Sequence, residues 1–265
     1  MIRGEKGPQV PGKGAQVDVK TPEQIALMRD AGRIVSEILD ELEKAVAPGV
    51  TTWDLDQLAE RLIYQKGAQP AFKGYLGFPC CLCASINEEV VHGIPSRKRA
   101  LREGDLMKLD FGVKYQGWFG DSARTVPVGQ VSDEARALLE ATRESLYKGI
   151  EQVKAGNRIG DIGAAVQKHV EAKGFSVVRD FVGHGIGTKL HEAPQVPNYG
   201  EAGSGMRLRA GMVIAIEPMV NLGTFKVEVL EDDWTAVTLD RKLSAHWEHT
   251  VLVTENGPEI LTRAA

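Results

Sequence analysis

The segment APGVTTWDL at 47–55 recurs in altered form as KAGNRIGDI at 154–162, an offset of 107 residues. At the same offset Lys66-Gly67 falls on Lys173-Gly174, and LREGDLMKLD at 101–110 falls on LRAGMVIAIE at 208–217. A further echo, VHGIP against GHGIG, sets His92 against His184 at an offset of 92. Loop length recovers the difference of 15, since the first half places its longer loop before its HGI and the second half after. A repeat of this size constrains the fold strongly, because each half must be one copy of the same supersecondary unit. The shared order of helix, helix, HGI and LR-x-G-strand predicts a duplicated α+β unit with pseudo-two-fold symmetry.

The units are readable in outline. Thr21-Pro22-Glu23-Gln24 offers an N-cap, a proline at the first helical position and a capping-box glutamine. Ile25, Met28, Val35, Ile38, Leu39 and Leu42 follow at helical spacing until Pro48-Gly49. A second helix is expected near 52–66, a third after the cap Ser132, and a fourth from Ile159 to Lys173, stopped by Gly174. Short valine-rich strands are expected at 105–113, 118–128, 212–221, 225–230 and 246–253. Hairpins dominate after residue 100, which predicts a largely antiparallel sheet with the four helices covering one face. A Gly-, Pro- and Lys-rich start suggests a flexible tail over residues 1–16. With no Pro/Gly/Ser linker mid-chain, residues 17–265 are expected to form one domain.

Composition excludes several classes of function. A net charge of -4 gives no electrostatic case for nucleic-acid or membrane partners. No apolar run approaches the ~20 residues of a membrane span, and the first residues lack the apolar core of a secretory signal. The three cysteines, Cys80, Cys81 and Cys83, crowd into FPCCLCAS, which is no disulfide framework and points to a reducing cytoplasm. A zinc site there is the weaker reading, because no second Cys or His pair stands at finger spacing; buried or pocket-lining thiols are expected. No apolar surface repeat asks for a dimer, so a monomer is expected.

The chemistry concentrates in acids placed where strands should be. Asp110 and Asp121 flank a Gln-Gly turn signal in LDFGVKYQGWFGD. A hairpin loop centred on Tyr115-Gln116 would set them directly opposite, with Cβ atoms about 4.5–5.5 Å apart, an unfavourable pairing unless one is protonated or a cation lies between. Two solvent-facing aspartates beside a turn are the bland alternative. The repeat places Glu217 as the counterpart of Asp110, ending the apolar run MVIAIE before Pro218. Glu248, in SAHWEHTVLV, is a further acid in a strand-like stretch; its neighbours His246 and His249 read as ordinary strand histidines. His184 stands between glycines in VGHGIG, which allow close backbone approach. Two aspartates, two glutamates and a histidine form an oxygen-rich set that suits Mn, Fe(II), Co or Zn. Four carboxylates outweigh one divalent charge, so two ions are expected, about 3.5–4 Å apart, able to activate one water for hydrolysis. His92 and His191, in Gly-flanked or loop-like contexts, read as catalytic rather than ligating.

In this order, GDSART, VGHGIG, LHEAP, IEPM and EHTVLV resemble the type I methionine aminopeptidases, from about Lys20 to Leu261. The resemblance implies the pita-bread α+β fold and removal of the initiator methionine from nascent chains when the next residue is small. It puts the metal ligands at Asp110, Asp121, His184, Glu217 and Glu248, with Asp121 and Glu248 bridging. His92 and His191 become the substrate-facing histidines, and Glu217 also the proton carrier. The methionine pocket falls on Tyr75, Phe78, Cys83 and Trp234, with Phe72 and Leu190 as departures that bear on its shape. Nascent-chain N-termini are the implied partners; the tail reads as a disordered lead, contact with the ribosome being the other reading. A prolyl-directed peptidase of the same fold is an alternative, disfavoured because those carry an extra N-terminal domain and only about 16 residues precede the fold. A non-catalytic binding module is the other, disfavoured because all five ligands are kept.

Overall fold

The computed structural model describes residues 17–263, so the expected tail at 1–16 lies outside the described residues. Four helices form where capping chemistry starts them. α1 (Pro22–Ala45) opens on a full capping box, in which the Gln24 side chain accepts from the Thr21 N–H at 2.9 Å. α2 (Thr52–Gln65) repeats the device with Thr51 and Asp54, α3 (Asp133–Ile150) is capped by Ser132, and α4 (Ile159–Ala172) follows. Gly67 and Gly174, just beyond α2 and α4, take left-handed φ values of 68° and 82°, which glycine adopts without a Cβ clash.

The duplication is visible in backbone contacts. Thr51 bridges Ala100 and Arg158 bridges Arg207, each partner displaced by 107 residues. Gly49 N donates to Leu101 O at 2.8 Å and Gly156 N to Leu208 O at 3.0 Å; Leu101 N donates to Val50 O at 2.8 Å and Leu208 N to Asn157 O at 2.7 Å. Each half therefore pins the start of its second helix to the start of its LR-x-G strand in the same way.

Every strand pair is antiparallel, and the ladders group into sheets of three to five strands. The longest hairpin joins Leu106–Tyr115 to Trp118–Pro127. Its register differs from the expected one: Tyr115 pairs with Trp118, so the loop is Gln116-Gly117, and Asp110 lies opposite Ala123 while Asp121 lies opposite Gly112. Both loop residues have positive φ, 48° and 88°, as a two-residue type I′ turn requires. The two aspartates thus share a face as diagonal neighbours rather than as a facing pair. Two expected strands are also interrupted. Glu217 and Pro218 separate Val213–Ile216 from Met219–Asn221, and Trp247 and Glu248 separate Ser244–His246 from His249–Thr254. The expected strand at 225–230 is shorter, Val227–Val229.

α1 and α2 bury Ile38, Leu42, Leu55 and Ile63 against Leu109 and Phe111 of the hairpin. α3 and α4 bury Leu146 and Ile162 against Ile214, Ile216 and Val251. Each such fully buried side chain contributes about 1.5–3 kcal/mol. The halves are then stitched together by hydroxyls of the hairpin's second strand and of the strand His249–Thr254. Thr125 Oγ1 donates to His246 O at 2.7 Å and accepts from His246 N at 2.8 Å; Ser122 Oγ donates to Glu248 O at 2.5 Å. Thr250 Oγ1 donates to Asp121 O at 2.8 Å and accepts from Asp121 N at 3.2 Å. This seam brings Asp121 of one half beside Glu248 of the other. Among the described residues no helix is long and apolar enough to cross a membrane.

Candidate metal centre

At the seam a cavity of about 60 Å³ opens, and the expected ligands and histidines line it: Asp110, Asp121, His184, Glu217 and Glu248 at the floor, with His92 and His191. Tyr75, Phe78, Cys83 and Trp234 form its apolar side, joined by Phe72 and Leu190. His246 and His249 do not line it.

Each polar residue is aimed there by its element. Asp110 and Asp121 project from one face of the hairpin, and Asp110 pairs with Cys83 on the strand Cys83–Ile86, which brings the thiol alongside. Glu217 and Glu248 sit in the two breaks, where the chain leaves the ladder and a carboxylate can turn inward. Asn198, which no spacing signal marks, fixes the first break by donating from Nδ2 to Glu217 O at 3.0 Å. His184 lies in the short strand Gly183–Gly185, where a Cβ on Gly183 would sit 2.3 Å from Ala215 O and one on Gly185 2.1 Å from Ala193 O. Only glycine lets the flanking strands close in this far. His92 has a left-handed φ of 61°, strain of about 1–3 kcal/mol for a non-glycine residue and a mark of a functional site. Its ring meets Phe181 edge-on at 5.5 Å, a contact the sequence did not signal.

The electrostatics of the floor call for a cation. His184 Nδ1 donates to Gly185 O at 2.8 Å, leaving the Nε2 lone pair 3.9 Å from Asp121 Oδ2 and 3.6 Å from Glu217 Oε1. Three side chains able to ligate a metal thus face one another. Ligand atoms of Asp121, His184 and Glu248 all lie within 4.8 Å of one another, while Asp121 Oδ1 and Glu248 Oε1 are buried without a hydrogen-bond partner. A buried carboxylate oxygen in that state costs several kcal/mol unless it is protonated or bound to a metal. Burial pushes the Asp121 carboxyl up to about 7, against the Ser122 N–H that lowers it. Burial, then neighbouring carboxylates, drives Asp110, Glu217 and Glu248 well above the ordinary range. Burial also lowers His184 and His92 to about 4, and His191 to about 2 with the help of His184 and His92, so all three are neutral at pH 7. The donor set fits a divalent metal, and the structure's own geometry supports one. The cysteines take no part in this cluster: Cys80, Cys81 and Cys83 are free and buried.

Facing the floor, His191 Nδ1 lies 2.9 Å from the Tyr75 hydroxyl with the two rings stacked at 5.3 Å, and its ring centre is 4.2 Å from that of His184. Phe78 and Trp234 meet edge-on at 5.1 Å and close the apolar end. An apolar slot ending on a carboxylate–histidine cluster can seat one unbranched hydrophobic side chain with its backbone at the cluster.

Comparison with known proteins agrees with this geometry. A methionine aminopeptidase 1 of Bacillus subtilis is 54% identical over 244 residues, 92% of this chain and 98% of that protein. The crystal structure of a methionine aminopeptidase from Thermotoga maritima superimposes with a TM-score of 0.92 at 48% identity, covering 94% of this chain and 100% of that one. A prolidase from Pyrococcus furiosus has the same fold at a TM-score of 0.76 and 25% identity, covering 93% of this chain but 66% of that one. Residues 26–255 match the profile of metallopeptidase family M24. With a metal-competent cluster at the seam of a duplicated pita-bread fold and these relatives along nearly its whole length, the chain belongs to metallopeptidase family M24, among its methionine aminopeptidases.

Proposed function

We propose that the chain is a metal-dependent aminopeptidase that removes the initiator methionine from protein N-termini when the next residue is small. The observation that carries this reading is the meeting of the Tyr75–Phe78–Cys83–Trp234 slot with the five-ligand cluster in one cavity. Asp110, Asp121, His184, Glu217 and Glu248 would hold two ions, drawn from Mn, Fe(II), Co or Zn, because four carboxylates exceed the charge of one. Bound there, divalent ions neutralise the carboxylates and supply Lewis-acid activation of water and of the scissile carbonyl.

The chain's own groups do the rest. Glu217 takes a proton from the attacking water and delivers it to the leaving amine. With the Tyr75 hydroxyl donating to His191 Nδ1, the neutral imidazole carries its proton on Nε2 and donates to the developing oxyanion. His92, held edge-on by Phe181 and at 6.3 Å by Trp234, contacts the scissile amide. The pocket seats the methionine side chain and excludes water from the reacting bond. Nascent chains leaving the ribosome are the natural source of such N-termini, and the free cysteines support a cytoplasmic setting. We read the chain from residue 17 onward as one monomeric domain.

The test is hydrolysis of Met-Ala-Ser by metal-reconstituted protein, alongside Xaa-Pro substrates. Turnover of Met-Ala-Ser that stops on chelation is expected. Activity on Xaa-Pro alone would favour the prolidase reading, and full activity after thorough chelation would overturn the mechanism.

A further inference from the structure

On the far side of the strand His249–Thr254 lies a second cleft, of about 300 Å³, lined among others by Arg124, Arg143, Arg263, Tyr147, Trp247 and His249. Glu248 faces the catalytic cavity; His249, the next residue, faces this cleft. Its walls are donors. Thr262 Oγ1 accepts from Thr250 N at 3.1 Å and lies 2.9 Å from His249 Nδ1, which fixes the ring with its other nitrogen, Nε2, on the side of Tyr147. The His249 Nε2 has only the Tyr147 hydroxyl, at 3.5 Å, longer than a good hydrogen bond. The Trp247 indole N–H is buried with no partner, an unmet donor of the kind that asks for an acceptor.

The charges agree. Arg124 is spoken for: its Nη1 meets Asp40 at 2.5 Å and Glu43, which also lines the cleft, at 3.2 Å. Arg143 and Arg263 make no hydrogen bond or ion pair among the described residues. Two guanidinium groups with no ion pair among the described residues, beside the unmet Trp247 N–H and the His249 ring, match a doubly charged oxyanion in charge and donor type.

We propose that this cleft is an oxyanion site that takes the phosphate group of a small molecule, held by Arg143, Arg263, Trp247 Nε1 and His249 Nε2. It is independent of the hydrolytic site, which uses none of these residues. The test is calorimetric titration of the metal-loaded protein with sodium sulfate at constant ionic strength, sulfate being a weak ligand for the catalytic ions. The indole N–H resonance of Trp247 is followed in parallel by NMR. Saturable binding with a shift of that resonance is expected, weakened at least about tenfold by Arg143→Ala or Arg263→Ala. Both arginines are exposed, so these variants fold. Inorganic phosphate and glycerol phosphate are then compared: tighter binding of the ester marks a phosphomonoester as occupant, the reverse marks free phosphate, and either supports the site. No saturable binding, or binding unchanged in the double variant with a silent Trp247 resonance, overturns it.

Discussion

Glu217 and Glu248 occupy the same kind of place: each sits in a break between two short strands, where the ladder stops and the side chain can face a buried floor. Glu217 keeps 15% exposure toward the cavity and is the carboxylate nearest His184. Glu217→Gln preserves size while removing the proton acceptor and one ligand charge, so kcat on Met-Ala-Ser should fall by about 10²–10⁴-fold with the fold intact by circular dichroism. The raised carboxyls also fix a sign. In the metal-free protein burial pushes Asp121 up to about 7 and raises Asp110, Glu217 and Glu248 well above the ordinary carboxylate range, so below pH 7 the cluster holds protons that a metal must displace. Metal uptake should therefore release protons, and affinity should rise with pH through 7. Calorimetry in buffers of different ionisation enthalpy reads this directly; proton uptake, or no exchange, would contradict the protonation assigned here.

At the scale of the element, the repeat and the caps were legible, because capping boxes, left-handed glycines and apolar spacing are local signals. The hairpin register was not. Gln116-Gly117 forms the I′ turn, but glutamine is not the asparagine or aspartate that usually marks its first position, so the loop centre reads one residue early. The difference matters: as diagonal neighbours, Asp110 and Asp121 leave room for a cation that a facing pair would crowd. The breaks at Glu217 and Glu248 were half legible, Pro218 marking the first and nothing marking the second. Nothing in the sequence marks Asn198 or Phe181, because their roles depend on tertiary contact alone. The glycines of VGHGIG mark close approach in the sequence as in the structure, and Gly185→Ala should cost about 1–3 kcal/mol, since its methyl meets a backbone carbonyl. A melting temperature within a degree of the parent would show the strands can part more freely than this packing allows.

At the scale of the whole molecule, the site exists only where the two halves meet. Asp110 and Asp121 come from one copy of the repeat and His184, Glu217 and Glu248 from the other, drawn together by the Ser122, Thr125 and Thr250 hydroxyls. Ions bound there cross-link the halves and relieve four buried carboxylates, so chelation should lower the melting temperature as well as abolish activity. Replacing Thr250 by valine should weaken metal binding without touching a ligand, measured as a raised dissociation constant. These five side chains should together hold the metal centre. Anomalous diffraction at the Mn, Fe, Co and Zn edges, on crystals of reconstituted protein, tests it most directly. Two peaks about 3.5–4 Å apart among Asp110, Asp121, His184, Glu217 and Glu248 are the predicted result; a cavity without anomalous density, or ions held elsewhere, would contradict it.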